Sequence, residues 1–379
     1  MRDSTLTSAS EDGSKAMFML PFDFPLEYLA ILHSELNDAN IYVPGFIPSS
    51  AGVFNTDALL HEASHGTRTV LLPDRNVVSR MAQLADGRSI EGNEQLRLAA
   101  ALLGVCQCFN IEVESSVAFH ELAHKSGNDV AWEELTRFRL SDSALAHEAI
   151  AVAMRRRPVM QLRGQSDNPG LTSADLAKPL RRWNRNYIIA LKILELEEEQ
   201  ALTPLSRVLS LMDWMASDFM FGAPGALLAM VYLAPNSSPK KRVFKDRNSA
   251  DREAALAGVR NAAWDLTHLS DFIERVNKEG LTGKTRFIFA SFDRHLLTMA
   301  RLIFSHGTEE SSEGGFTKAL AAWWPEQDAA RLNEALFGHL GRVAAPTWKR
   351  EVELKFERIQ ALIREGEDRV RAMPRGSRA

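Results

Sequence analysis

The stretch Arg68–Asn76, RTVLLPDRN, decides the fold. Its middle, Thr69 to Leu72 (TVLL), is a short apolar run with the side chains of a buried strand, too short for a helix. Pro73 and Asp74 close it, and Val77 to Leu84 resumes with helical spacing. The same grammar recurs far downstream. Arg286 to Ala290 (RFIFA) ends at Ser291-Phe292-Asp293 and passes into another helical stretch. Weaker strand candidates are Ile41 to Val43 (IYV) and Ile111 to Val113 (IEV). Few short strands among many helices predict an α/β fold: a small parallel sheet flanked by helices, helix-rich overall, with an α-helical insertion. Ligands of such sheets gather beyond the carboxyl ends of the strands. Both good strand candidates deliver an aspartate there.

Working outward, helical spacing covers Leu26 to Leu36, Ile90 to Phe109, Val117 to Lys125, Leu171 to Glu199 and Leu202 to Phe221. Thr203-Pro204 separates the last two, with proline where a first helical turn tolerates it. Loop chemistry at Gly164 to Gly170 and Pro235 to Lys241 marks an inserted region. The expected organisation is a flexible tail over 1–16, a first core half over 17–154, the insertion over 155–250, a second core half over 251–306, and C-terminal helices and tail over 307–379. Within the last part, Thr347 to Ala372 reads as a charged amphipathic helix suited to docking.

A chain of 379 residues suffices for one large domain or a core carrying an insertion. Its hydrophobic fraction of 45% and charged fraction of 25% exclude disorder for most of its length. No apolar run reaches the ~18 residues that span a bilayer, so no membrane partner is expected. Met1 to Ala16 is rich in Ser, Thr and Asp and reads as a solvated tail rather than a secretory signal. The two cysteines, Cys106 and Cys108, cannot complete a zinc site as a C-x-C pair and read as small core residues of a cytoplasmic protein.

A net charge of −4 argues against an electrostatic grip on nucleic acid by the whole surface. The basic residues are segregated nevertheless. Arg155, Arg156 and Arg157 form one run; Arg181, Arg182 and Arg185 interleave with Trp183 and Tyr187; Lys240, Lys241, Arg242, Lys245 and Arg247 surround Phe244. Such patches can hold a phosphate backbone and stack a base, or can simply solvate a helix end.

Acidic residues mark the strand ends and the helices between them. Asp74 follows TVLLP, with Asn76 two residues on; Asp293 follows RFIFA, with Ser291 two residues before it. Glu121 lies in the helical stretch SSVAFHELAHK, and Asp265 in NAAWDLTHLSDFIERV directly after Trp264. An acid among apolar helical neighbours needs a partner, because a buried unpaired carboxylate costs several kcal/mol. A divalent cation shared between carboxylates is one such partner.

In order and placement these residues resemble the PIN-like metal-dependent nucleases. That family carries an aspartate after the first strand, commonly in Asp-Thr-Asn, a glutamate on a later helix, a third aspartate on a helix, and a fourth after the last core strand in a Thr-x-Asp pattern. Here the first motif stands as Asp74-Arg75-Asn76, with Arg in the usual Thr place, and the last as Ser291-Phe292-Asp293, which keeps a hydroxyl. The resemblance covers about Ile41 to Leu140 and about Ala250 to Ile303. It implies Mg²⁺ or Mn²⁺ held by Asp74, Glu121, Asp265 and Asp293, with Asn76 and Ser291 orienting the carboxylates and RNA as substrate. Arg181, Arg182 and Arg185 are the expected substrate-binding groups, since a carboxylate site needs positive charge nearby to admit phosphate. A protein partner or a second copy stays open. Without metal chemistry, Asp74 and Asp293 would be helix N-caps.

Two other readings compete. His120-Glu121-Leu122-Ala123-His124 is an HExxH pattern on a predicted helix, as in a zinc peptidase of the gluzincin kind, with Glu148 or Glu134 as third ligand. A second match, His61-Glu62-Ala63-Ser64-His65, runs into Gly66 and Thr67 and is expected to make a poor helix. The third reading is a PIN-like scaffold that binds RNA or protein without cutting, suggested by Arg75 beside the first aspartate. No P-loop and no Rossmann glycine fingerprint occurs, which argues against nucleotide motors and dinucleotide redox chemistry.

Overall fold

The computed structural model describes residues 5–9, 15–20, 23–48, 50–162, 174–237, 243–280, 283–304, 312–345 and 355–373. The chain divides into two units, Met1–Lys178 with Phe272–Leu297, and Pro179–Asp271 with Thr298–Ala379. The first contains β1 (Thr5–Ala9), β2 (Lys15–Met19), α1 (Leu26–Ala39), β3 (Tyr42–Pro44), α2 (Thr56–Ser64), β4 (Arg68–Pro73), α3 (Arg75–Ala85), α4 (Glu94–Cys108), β5 (Glu112–Val113), α5 (Ser116–Ser126), α6 (Asn128–Asp142), α7 (Ala146–Ala153) and β6 (Thr285–Ala290). The second contains α8 (Arg181–Glu198), α9 (Pro204–Ser217), α10 (Ala223–Tyr232), α13 (Ser312–Leu320), α14 (Glu326–Ala344) and α15 (Phe356–Ala372). Two helices run across the division, α11 (Arg252–Glu279) and α12 (Arg294–Phe304).

The sheet of the first unit is ordered β3-β6-β4-β5. β4 is parallel to both of its neighbours, β5 and β6. Val70, Leu71 and Leu72 are all buried, which is why this strand reads as an unbroken apolar run rather than an alternating one. β3 corrects the expectation of an all-parallel sheet, because it runs antiparallel to β6. The chain leaves α1 through a left-handed Asn40 (φ 54°) and enters β3 from the end at which β6 leaves the sheet. A three-residue apolar run carries no mark of its direction.

The hydrophobic core of this unit joins Leu32 and Leu36 of α1, Leu71 of β4, Val77, Val78 and Met81 of α3, Leu102 and Leu103 of α4, and Ile288 of β6. Each such side chain contributes about 1.5–3 kcal/mol on full burial. Gly104 allows α7 to lie close on α4: a Cβ there would come within 2.9 Å of Ile150 Cγ1. Cys106 is buried and Cys108 half-buried, both are free thiols, and burial pushes the Cys108 thiol up to about 11.

At the N-terminus the stretch read as a tail carries two short strands. Thr5–Ala9 and Lys15–Met19 pair as an antiparallel ribbon, Thr5 opposite Met19. The Thr residues that suggested solvation also favour strands.

In the second unit the C-terminal helix joins the inserted helices. α15 packs on α8, where Gly366 meets Leu191 at a distance that excludes a Cβ (2.9 Å from Leu191 Cδ1). Tyr187 Oη and Arg260 Nη2 donate to Glu367 Oε1 at 2.8 and 2.9 Å. Burial acts to raise the Glu367 carboxyl, but these hydrogen bonds and the nearby Arg371 charge outweigh it and hold the group below its ordinary value. A depressed carboxylate stabilises the fold above its unfolded-state pKa, and that contribution fades as pH falls through the native value. Glu367→Gln is therefore expected to lower stability at neutral pH and to flatten its decline below about pH 4.5. Urea melts at pH 7 and pH 3.5 check this, and an unchanged slope in the variant would dismiss the carboxylate's role.

Among the described residues no helix is long and apolar enough to cross a membrane.

Candidate functional site

The parallel register sets the site. Pro73 at the end of β4 lies opposite Ala290 at the end of β6, so Asp74 and Ser291 leave the sheet side by side. Asp74 N–H donates to the Ala290 carbonyl at 2.8 Å. From β4 the chain passes through α3 and α4 to β5 on one flank, whereas β6 occupies the other flank. The carboxyl ends of β4 and β6 thus frame a topological switch point, the place where open α/β sheets bind ligands.

Each strand end carries an aspartate that caps the following helix. Asp74 Oδ1 accepts from Asn76 N at 2.7 Å and Val77 N at 3.4 Å. Asp293 Oδ1 accepts from His295 N at 2.7 Å and Leu296 N at 3.2 Å. Capping is therefore one job of both residues.

Further hydrogen bonds tie the two strand ends together. Ser291 Oγ donates to Asp74 Oδ2 at 2.5 Å, and Asn76 Nδ2 donates to the same oxygen at 2.9 Å. Asp293 N donates to Ser291 Oγ at 2.8 Å, while Phe292 N donates to Asn76 Oδ1 at 2.9 Å. Asp74 is 4% exposed and Ser291 0%, so this lattice sits out of water. Both Asp74 oxygens are engaged. Asp293, half-buried, differs: among the described residues its Oδ2 accepts no hydrogen bond. One acid is a saturated anchor, and the other presents a lone oxygen.

A third parallel strand also ends in an acid. Glu114 follows β5, donates its N–H to the Leu71 carbonyl, accepts from Ser116 N at 2.9 Å, and has Arg275 at 4.0 Å. The sequence reading passed over it, although Glu114 directly follows the strand IEV just as Asp74 follows TVLLP. Glu121 is half-buried on α5, the helix that begins at this same edge of the sheet. Asp265 belongs to the second unit, half-buried on α11.

Arg75, directly after Asp74, makes no ion pair with it. Its guanidinium forks onto Glu134 of α6, at 2.7 and 2.8 Å. The same contact bears on the zinc reading, since Glu134 was a candidate third ligand. The other candidate, Glu148, is buried (1% exposed) and accepts from Arg157 at 2.7 Å. His120 Nδ1 bonds the Leu176 carbonyl at 2.8 Å. Among the described residues no group of three or more His, Cys, Asp or Glu stands close enough to hold a metal ion.

In the second unit, Arg182 pairs with Asp271 at 2.5 Å, and Arg181 is exposed. Trp183 and Tyr187 stack with ring centroids 4.9 Å apart, at 5% and 1% exposure. Both rings are core residues. Around the other basic cluster, Phe244 is buried and Arg247 is held by Glu197 and Glu198; Lys240, Lys241 and Arg242 lie outside the described residues.

No protein-family model matches the chain, and neither a curated protein nor a solved structure matches it.

Proposed function

We propose that the chain is a PIN-like, metal-dependent nuclease that hydrolyses phosphodiester bonds in RNA, in a cytoplasmic setting consistent with its free thiols. The observation that carries this reading is the lattice of Asp74, Asn76, Ser291 and Asp293 at the switch point of the sheet. It joins two acids from distant parts of the sequence and leaves one carboxylate oxygen uncommitted.

The donor chemistry fits Mg²⁺ or Mn²⁺. Carboxylate oxygens are hard ligands, and Mg²⁺ keeps several waters while taking one or two carboxylates, so a tight cluster of three acids is not required. Asp293 Oδ2 would be the primary ligand, with water in most of the remaining positions and Asp74 bracing its turn. Bound there, the cation supplies an activated water and offsets charge developing on the phosphate. The chain's own part is positional. Asp74 fixes the Ser291 hydroxyl, and that hydroxyl accepts from the Asp293 backbone, so the reactive carboxylate sits on a braced turn.

Arg75 is committed to Glu134, which weakens the case for a degenerate, non-cutting scaffold. The peptidase reading is the less favoured, because Arg75 and Arg157 already hold Glu134 and Glu148. The purified chain is expected to cleave single-stranded or structured RNA with Mn²⁺ or Mg²⁺, and to lose that activity in EDTA. Stoichiometric zinc that disappears on His120→Ala, with no RNA cleavage, would reverse the ranking.

A further inference from the structure

We propose that His61 and His65 form a two-imidazole chelate for a borderline transition cation such as Zn²⁺ or Ni²⁺. The sequence led to the expectation of a poor helix here. Instead α2 runs through Ser64, and His65 is its C-cap. Helical spacing of four brings the two rings together on one side, with centroids 4.4 Å apart and planes inclined by 38°. Two imidazoles bound at about 2.0–2.1 Å place their ring centres about 4.5 Å apart at the right angle of an octahedral cation such as Ni²⁺, and about 5.2 Å apart at the tetrahedral angle of Zn²⁺. The rings thus stand at the spacing of an octahedral bidentate pair and within a side-chain adjustment of a tetrahedral one.

The closer of the two contacts of His65 Nδ1, 2.9 Å to the His61 carbonyl against 3.2 Å to Ser64 Oγ, favours one tautomer of that ring. His65 Nδ1 lies 2.9 Å from the His61 carbonyl, and only a protonated Nδ1 can donate to it. That leaves Nε2 of His65 as the bare lone-pair nitrogen. The same arrangement, one ring nitrogen donating to a carbonyl and the other free, is how metal-bound histidines are oriented. Ser64 Oγ also donates to the His61 carbonyl at 2.7 Å, anchoring the acceptor. Neither nitrogen of the His61 ring has a hydrogen-bond partner among the described residues. His65 is exposed and His61 half-exposed, so a cation reaches both from solvent. The C-terminal end of a helix carries partial negative charge, which favours a cation at this place. Water completes the remaining positions, because the protein offers two ligands here. The pair is independent of the carboxylate crevice and prefers a different, softer class of metal.

Isothermal calorimetry of the full chain with ZnCl₂ and NiCl₂ at pH 7.5 tests the proposal. One saturable site is expected, weakened at least about ten-fold by His61→Ala and by His65→Ala. His120→Ala, in the other histidine pair of this spacing, should leave it unchanged. Both target side chains reach solvent, and circular dichroism of each variant, with His65→Gln as a second substitution, separates metal loss from misfolding. Absence of binding by the wild type, or affinity unaltered by both alanine variants, would overturn the chelate.

Discussion

Asp293→Asn should remove metal-dependent RNA cleavage while leaving the fold intact. Asparagine caps a helix as well as aspartate does, so the bonds from His295 N and Leu296 N to Oδ1 survive. The stability change is expected to stay below about 0.5 kcal/mol. What changes is the second oxygen, now a neutral NH₂ that cannot bind a cation. A catalytic metal contributes several kcal/mol of transition-state stabilisation, and each 1.36 kcal/mol is a factor of ten in rate. Single-turnover cleavage should therefore fall by at least ~10²–10³-fold. Urea melts run beside the rate measurement keep the two effects apart. Full activity in a folded Asn variant would remove Asp293 from the mechanism.

Asp74→Ala is expected to strike stability first. The cap on α3 is worth about 0.5–2 kcal/mol. Its loss also strips the acceptor from Asn76 Nδ2 and from the buried Ser291 Oγ. Each unsatisfied buried donor costs roughly 1–3 kcal/mol. Because the bonds form one network, the parts do not add cleanly, and a total of about 3–5 kcal/mol is the expectation. Set against a typical stability of about 5–15 kcal/mol, that is a large share. The contrasting variant is Asp293→Ala, which loses a cap but orphans no buried hydroxyl and should cost only about 0.5–2 kcal/mol. Equal losses in the two variants, measured by urea unfolding, would show that Asp74 is a cap and no more.

The strands were legible because each is a short apolar run closed by punctuation. TVLL before Pro73, and the last three residues of RFIFA before Ser291, are buried on both faces, so their composition announces them. The motifs at their ends were legible for a related reason. Asp-x-Asn and Ser-x-Asp place a polar side chain within reach of a carboxylate over two residues, and both Asn76 and Ser291 do hydrogen-bond Asp74. What stayed hidden depends on distant chain. The direction of β3 follows from where α1 delivers it. The partition between units depends on α15 finding α8, a match of Gly366 to Leu191 that no local pattern records. Trp183 and Tyr187 stayed ambiguous because an aromatic pair at helical spacing beside arginines has the same sequence whether it faces solvent or core. Only the packing of Trp183 against both Tyr187 and Trp264 decides.

The two flanks of β4 close at very different times. Val70 meets Glu112 on one side and Phe287 on the other, so the second pairing closes a loop roughly five times longer, at an added entropic cost of about 1.5 kcal/mol. Ser291 reaches Asp74 across 217 residues. On a ribosome adding about 5–20 residues per second, the nascent strand waits on the order of ten seconds or more for its second neighbour. Through that interval it offers an unpaired apolar edge to other chains, a hazard of aggregation that the finished sheet no longer shows.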